Sequence, residues 1–212
     1  MTETIERGRG TNGRQPRADG ERTRAAILRA AASLATVDGL EGLSIGHLAA
    51  AIGMSKSGLY AHFGSKQELQ LATVQEAGRI FADEVVQPAL AAPAGRAQLV
   101  TLCEAFFGHL QRRTFPGGCF FAGAALEMGT RPGPVKEAIV AFQTGFVDLI
   151  KGFAAVAIEH GELPAGEDPQ RLAFELNGII LAADASFVLH DDPAVLDLAR
   201  QVVRRRLAAD PS

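Results

Sequence analysis

Between residues 44 and 66 the chain gathers side chains suited to gripping a polyanion: Ser44, Ser55, Lys56, Ser57, Tyr60, His62 and Lys66. Hydroxyls and a histidine ring donate hydrogen bonds to phosphate oxygens, and lysines supply charge. Ser44 and Ser55 also stand where helix N-caps belong. A helix start adds unpaired N–H groups and the positive end of the helix dipole. Gly58 keeps the first turn after Ser55 small, so the backbone can approach a groove wall. This is the profile of a short helix entering the major groove of DNA.

Other chemistries find no support in the sequence. Gly8, Gly10 and Gly13 spell G-x-G-x-x-G, but no strand pattern precedes them and no βαβ unit follows. No P-loop, H-E-x-x-H, G-x-S-x-G or S-x-x-K occurs, and the five histidines lack metal-ligand spacing. The sequence therefore implies neither an enzyme, nor a cofactor, nor a metal site.

The elements that position the polyanion-binding residues are helical. Ile45, Leu48, Ala49 and Ile52 form the inner stripe of a two-turn helix over 45–52, and Gly53 can turn left-handed to end it. A second short helix over 56–62 turns Leu59 and Phe63 inward and Lys56, Ser57, Tyr60, Ala61 and His62 outward. Two short helices joined through a glycine turn make a helix-turn-helix. A preceding helix over 21–38 places Ile27, Leu28, Ala31, Leu34 and Ala35 inward. Beyond it, helices are predicted over 66–86 (ending before Pro88), 96–113, 119–129, 133–160, 169–190 and 194–208. Asp168-Pro169 and Asp192-Pro193 open the last two. The fold class expected is all-α. A disordered arm (1–20) leads into a three-helix DNA-binding domain (21–67), and a helical regulatory and dimerisation domain (68–212) follows.

Composition agrees. The 212 residues are 47% hydrophobic and 21% charged, an ordinary globular balance. Residues 1–66 carry nine Lys and Arg against six Asp and Glu, and the remainder twelve against eighteen. One end is thus suited to a polyanion. No run of eighteen consecutive apolar residues, no secretory signal and only two cysteines point to the cytoplasm and to no membrane partner.

Residues 21–69, with the string GMSKSGLYAHFGSKQEL, resemble the DNA-binding domain of TetR-type repressors. In that family the positions of Ser44, Ser57, Tyr60, His62 and Lys66 commonly touch DNA. Arg22, Ser55, Lys56 and Gly58 complete the candidate DNA-binding set. Ala61 stands where the family often has a larger side chain, so base reading there is reduced. The resemblance implies a homodimer on a near-palindromic operator, and a C-terminal domain whose small-molecule effector changes DNA affinity. A helical interaction module or an effector-free regulator remains the second reading.

Three further candidates lie beyond residue 100. Phe106, Phe107, Leu110, Phe120, Phe121, Met128, Phe142 and Phe146 are candidates for an apolar effector cavity, with Glu104, His109, Glu127 and Gln143 as scarce polar anchors. Leu176, Ile179, Ala183, Phe187, Val195, Leu198 and Val202 are candidates for a dimer interface on the last two helices, which are apolar around more than one face. Core packing is the other explanation for both groups. Cys119, at a helix start, is a candidate thiol sensor, and Arg204, Arg205 and Arg206 suit the negative end of the last helix.

Overall fold

The computed structural model describes residues 15–208. Ten α-helices run in order: α1 (Gln15–Asp38), α2 (Ile45–Ile52), α3 (Lys56–Phe63), α4 (Lys66–Phe81), α5 (Gln87–Leu90), α6 (Arg96–Gln111), α7 (Phe120–Met128), α8 (Pro134–Glu159), α9 (Pro169–His190) and α10 (Ala194–Arg206). No strand occurs among the described residues. The helix boundaries follow the apolar periodicity closely, with two differences. Helix α1 begins at Gln15, so residues 15–20 of the expected arm are helical; the rest of that arm, with Gly8, Gly10 and Gly13, lies outside the described residues.

The second difference is at Pro88, where the chain does not stop. A π-helical segment, Ala82–Val86, links α4 to α5, and Pro88 then sits in the first turn of α5. There its missing N–H costs no hydrogen bond.

The π turn carries a polar cluster. Glu84 Oε2 accepts from His109 Nδ1 (2.9 Å), Arg112 Nη2 (2.9 Å) and Thr114 Oγ1 (2.7 Å). Partial burial pushes the Glu84 carboxyl up, but the hydrogen bonds from Arg112, Thr114 and His109 outweigh it and hold it at about 2. Burial keeps His109 neutral by pushing its pKa down, against the pull of Glu84.

Helix α4 is the spine between the two domains, packing on α1 at one end and on α8 at the other. The C-terminal body closes around Phe81, whose ring meets Phe106, Phe121, Phe142 and Phe146 edge-on at 5.2–6.4 Å. Such T-shaped packing fills space efficiently. The eight residues expected around a cavity therefore pack mainly on one another, and seven of them are buried, Phe142 being half-buried. Phe142 and Phe146 reach an opening of about 280 Å³, beside Phe81 and Leu149, and Phe120 lines another of about 300 Å³ between α1 and α7, with Glu127.

Helices α8 and α9 are long and apolar enough to cross a membrane by length and composition, but they pack against each other within the bundle. The expected dimer face needs correction. Leu176, Ala183 and Phe187 are buried inside the protomer, and Ile179 and Val195 are partly buried against the same core. Leu198 and Val202 are exposed, and so are Phe174, Leu181, Val188 and Leu189. Both sides of α9 are apolar, and the period alone does not say which half meets the chain's own core.

Arg204 pairs with Glu104, and Arg206 with Glu175 and Glu167, so two of the three terminal arginines tie α10 to its neighbours.

The Glu84 cluster makes acid stability testable. A carboxyl lowered from 4.5 to about 2 contributes up to about 3 kcal/mol above its unfolded pKa. That contribution is lost as pH falls from 4.5 toward 2. Glu84→Gln is expected to destabilise the protein at neutral pH, by a margin that narrows on acidification. Urea denaturation across pH checks this; a margin independent of pH would overturn it.

Candidate nucleic-acid interface

The head of the molecule is built from caps and a small apolar core. Ser44 is the N-cap of α2 and its Oγ accepts the His47 N–H at 3.1 Å. Gly53 ends α2 at φ +67°, and its N–H is given to the Ala49 carbonyl. Ser55 caps α3, accepting the Gly58 N–H at 3.1 Å, and Ser65 caps α4 through the Glu68 N–H at 3.1 Å. Each of these serines uses its oxygen as an acceptor, which leaves the O–H of Ser44 and Ser65 able to donate outward, while Ser55 Oγ lies 3.3 Å from Ser57 Oγ and shares a hydrogen bond with it.

Leu48, Leu59 and Phe63 lie at the centre of the head and are essentially sealed from water. Arg24 of α1 fixes the far end of α3. Its Nη1 donates to the His62 carbonyl at 2.7 Å and its guanidinium lies 4.5 Å from the centre of the Phe63 ring. With α3 held from both ends, Lys56, Ser57, Tyr60 and Ala61 face outward together, and Tyr60 is 56% exposed. Gly58 and His62 are half-buried beside them, and Ser44 is half-buried at the start of α2. The Lys56 stem lies along α2, where a Cβ on Gly46 would come within 3.3 Å of it. Arg22 is exposed on α1.

Lys66 is placed differently from the expectation. Its Nζ is 2.9 Å from Glu41 Oε1, so the lysine enters any phosphate contact from an existing ion pair. The Glu41 carboxyl is held below its ordinary value, chiefly by its hydrogen bond to Lys66. The sequence carries no sign of this, because the partners are 25 residues apart.

A second contact missed by sequence reasoning joins the head to the C-terminal body. Glu127, expected as a cavity anchor, instead accepts the Leu40 N–H at 2.7 Å and the Glu41 N–H at 2.8 Å, one on each oxygen. Gly39 permits the approach: at φ +82°, a Cβ there would lie 2.8 Å from Glu127 Oε1. Gln70 of α4 closes the same turn by donating to the Leu40 carbonyl at 2.8 Å.

The other expected anchors divide. Glu104 is committed to Arg200 and Arg204, and His109 to Glu84. Gln143 does line an opening, a groove of about 580 Å³ between α7, α8 and α9. Cys119 is buried, and desolvation together with Asp184 pushes its thiol up to about 12. Burial keeps this thiol from solvent and disfavours its thiolate, which argues against the sensor reading.

Comparison with known proteins gives a consistent answer. Residues 27–73 match the family described as bacterial regulatory proteins, tetR family. Residues 95–203 match the description tetracyclin repressor-like, C-terminal domain. No curated protein matches the chain.

Among solved structures, a TetR transcriptional regulator from Chloroflexus aurantiacus is similar over 90% of this chain and 96% of its own, at 23% identity and a TM-score of 0.82. AibR, solved in complex with isovaleryl coenzyme A and operator DNA, is 25% identical over 86% of this chain and 97% of its own (TM-score 0.68). A transcriptional regulator from Saccharomonospora viridis, solved in complex with choline, is 19% identical over 87% and 95% (TM-score 0.72). The capped helix pair, its position on α4 and both matched segments lead to one conclusion: the chain belongs to the tetR family of bacterial transcriptional regulators.

Proposed function

We propose that this regulator is a homodimeric, cytoplasmic repressor that leaves its operator when a small, largely apolar effector occupies the regulatory domain. The observation that carries the DNA-binding part is the outward face of α3, with Lys56, Ser57 and Tyr60 exposed side by side on a head held rigid by Arg24. In this reading Ser44, Ser55, Lys56, Tyr60, His62, Lys66 and Arg22 contact phosphates. Ser57 and Gly58 approach base edges, and their small size leaves part of the sequence discrimination to DNA shape.

Dimerisation is supported by the exposed apolar residues of α9 and α10 that lie outside the groove: Phe174, Leu198 and Val202. Two adjacent helices with bare apolar faces suit a four-helix bundle across a two-fold axis. Effector responsiveness is supported by the groove between α7, α8 and α9, and by relatives solved with isovaleryl coenzyme A and with choline.

DNA binding is testable with an intrinsic probe. Tyr60 is the only tyrosine and the chain has no tryptophan, so its fluorescence reports on the α3 face alone. Titration with the protein's own upstream DNA is expected to change that signal, with an affinity that falls steeply with salt. Lys56→Ala should weaken binding to all sequences and flatten the salt slope, whereas Ser57 substitutions should alter sequence preference. Salt-independent binding, or none to any upstream fragment, would retire the proposal.

Val202→Glu is expected to shift the protein from dimer to monomer in sedimentation velocity. An unchanged dimer would place the interface elsewhere.

A further inference from the structure

The groove between α7, α8 and α9 is lined by Leu126, Leu181, Val188 and Leu189, with small residues between them. Only two of its lining side chains are polar, Gln143 and Asp184. Asp184 is 6% exposed, a carboxyl at the floor of an apolar wall. Its Oδ1 accepts the Cys119 N–H at 2.9 Å. Among the described residues no cation pairs with it, and Oδ2 makes no hydrogen bond yet is not sealed from solvent. The opening it lines is the groove.

Gln143 is fixed in the same sense. Its Nε2 donates to the Phe121 carbonyl at 3.2 Å, which turns Oε1 away as an acceptor. The one lining backbone N–H at the groove's loop edge, that of Gly117, is already given to Thr36 Oγ1 at 3.1 Å. The groove therefore offers two side-chain acceptors, one of them a buried carboxylate, against a single remaining side-chain donor, the second N–H of Gln143.

A ligand complements that inventory by bringing hydrogen-bond donors and positive charge, together with apolar surface for the walls. A neutral or anionic apolar molecule would leave a buried carboxyl without a partner. We infer that the groove binds an organic ammonium ion with an apolar body, its N–H groups given to Asp184 Oδ2 and Gln143 Oε1. This rests on the reading of the chain as an effector-responsive regulator and specifies the chemistry of the effector. Burial, opposed only by the Cys119 N–H, pushes the Asp184 carboxyl up to about 6. That is the signature of a charge lacking a counter-ion. An opening of about 580 Å³ is in the range of sites for compact organic ligands.

The experiment is a calorimetric titration of the full-length protein with 1-naphthylmethylammonium and with its uncharged isostere 1-naphthylmethanol. The ammonium ion is expected to bind about tenfold or more tightly than the alcohol. Asp184→Asn keeps an acceptor for the Cys119 N–H, and should remove that preference while leaving the alcohol's affinity unchanged. Gln143→Met should weaken the ammonium by a smaller factor. Equal affinity of the two probes for the wild-type protein overturns the inference and does not depend on how any variant folds. It is also overturned if neither probe binds because a second copy fills the groove, seen as a dimer whose Leu126→Lys variant becomes monomeric.

Operator affinity measured with each probe separates the two readings. Asp184-dependent binding that leaves operator affinity unchanged supports the site and refutes effector control. Release by the alcohol alone refutes the site's charge preference and leaves effector control standing.

Discussion

The rest of the structure depends on how one carboxylate holds two domains together. Glu127 takes two successive backbone N–H groups, those of Leu40 and Glu41, at 2.7 and 2.8 Å. Hydrogen bonds to an ionised acceptor are about twice as strong as neutral ones. Here they also satisfy two groups of a turn that has no helix of its own. Because Gln70 binds the Leu40 carbonyl, the turn between α1 and α2 is fixed by both α4 and α7. The orientation of the head, and hence of α3, is set at that turn. A short contact of this kind transmits displacement better than a broad apolar interface, since a charge-assisted bond weakens steeply with distance and angle.

Two acids, Glu84 half-buried and Asp184 buried, show how differently the same group can be used. Glu84 is surrounded by donors, one from His109, one from Arg112 and one from Thr114, and stays ionised. Asp184 has a single backbone donor and a raised pKa. The π turn explains part of the contrast. Its wider ring turns Glu84 toward α6 and the loop that follows, where donors converge. Asp184 lies on a regular helix facing the start of α7, where the Cys119 N–H supplies one bond and the first six residues are only Phe, Ala and Gly. A carboxylate satisfied by three donors, as Glu84 is, rigidifies a fold even though His109 Nε2 of the same cluster is buried without a partner. A half-satisfied one is where binding has most to gain.

Much of the architecture was legible because helical periods and capping residues are local signals. Ser44, Gly53 and Ser55 act in the structure as their types require. What escaped was non-local. Lys66–Glu41, Glu127–Leu40 and Asp184–Cys119 join residues 25 to 87 positions apart, and no periodicity encodes such pairs. Phe106, Phe107 and Phe120 read equally well as cavity wall or as core, and ring-on-ring packing decided for core. On α9 the apolar period identifies a two-sided helix but not its orientation, so it leaves Leu176, Ala183 and Phe187 open between interface and core, and they face the core. Helix α1 extends back to Gln15: Pro16 falls in its first turn, where proline is tolerated, and Gly20 in its interior, where the local preference argues against a helix.

The short helix α7 ties these features into one mechanical unit. At its start, Cys119 meets Asp184; along its length, Ala122, Gly123, Ala125 and Leu126 form one wall of the groove; after Leu126 comes Glu127. Nine residues span only about 13 Å, too short and too regular to absorb a displacement internally. A change at the Asp184 end therefore reaches the Glu127 end as a rigid shift or tilt. The loop before α7 reinforces this, because Gly117 packs so closely on Thr36 of α1 that a Cβ there would overlap its carbonyl oxygen. A ligand can bias the head only through contacts that differ between two positions of α7. The groove lies along one side of that helix, which is where contacts that differ between two positions of α7 would have to be made.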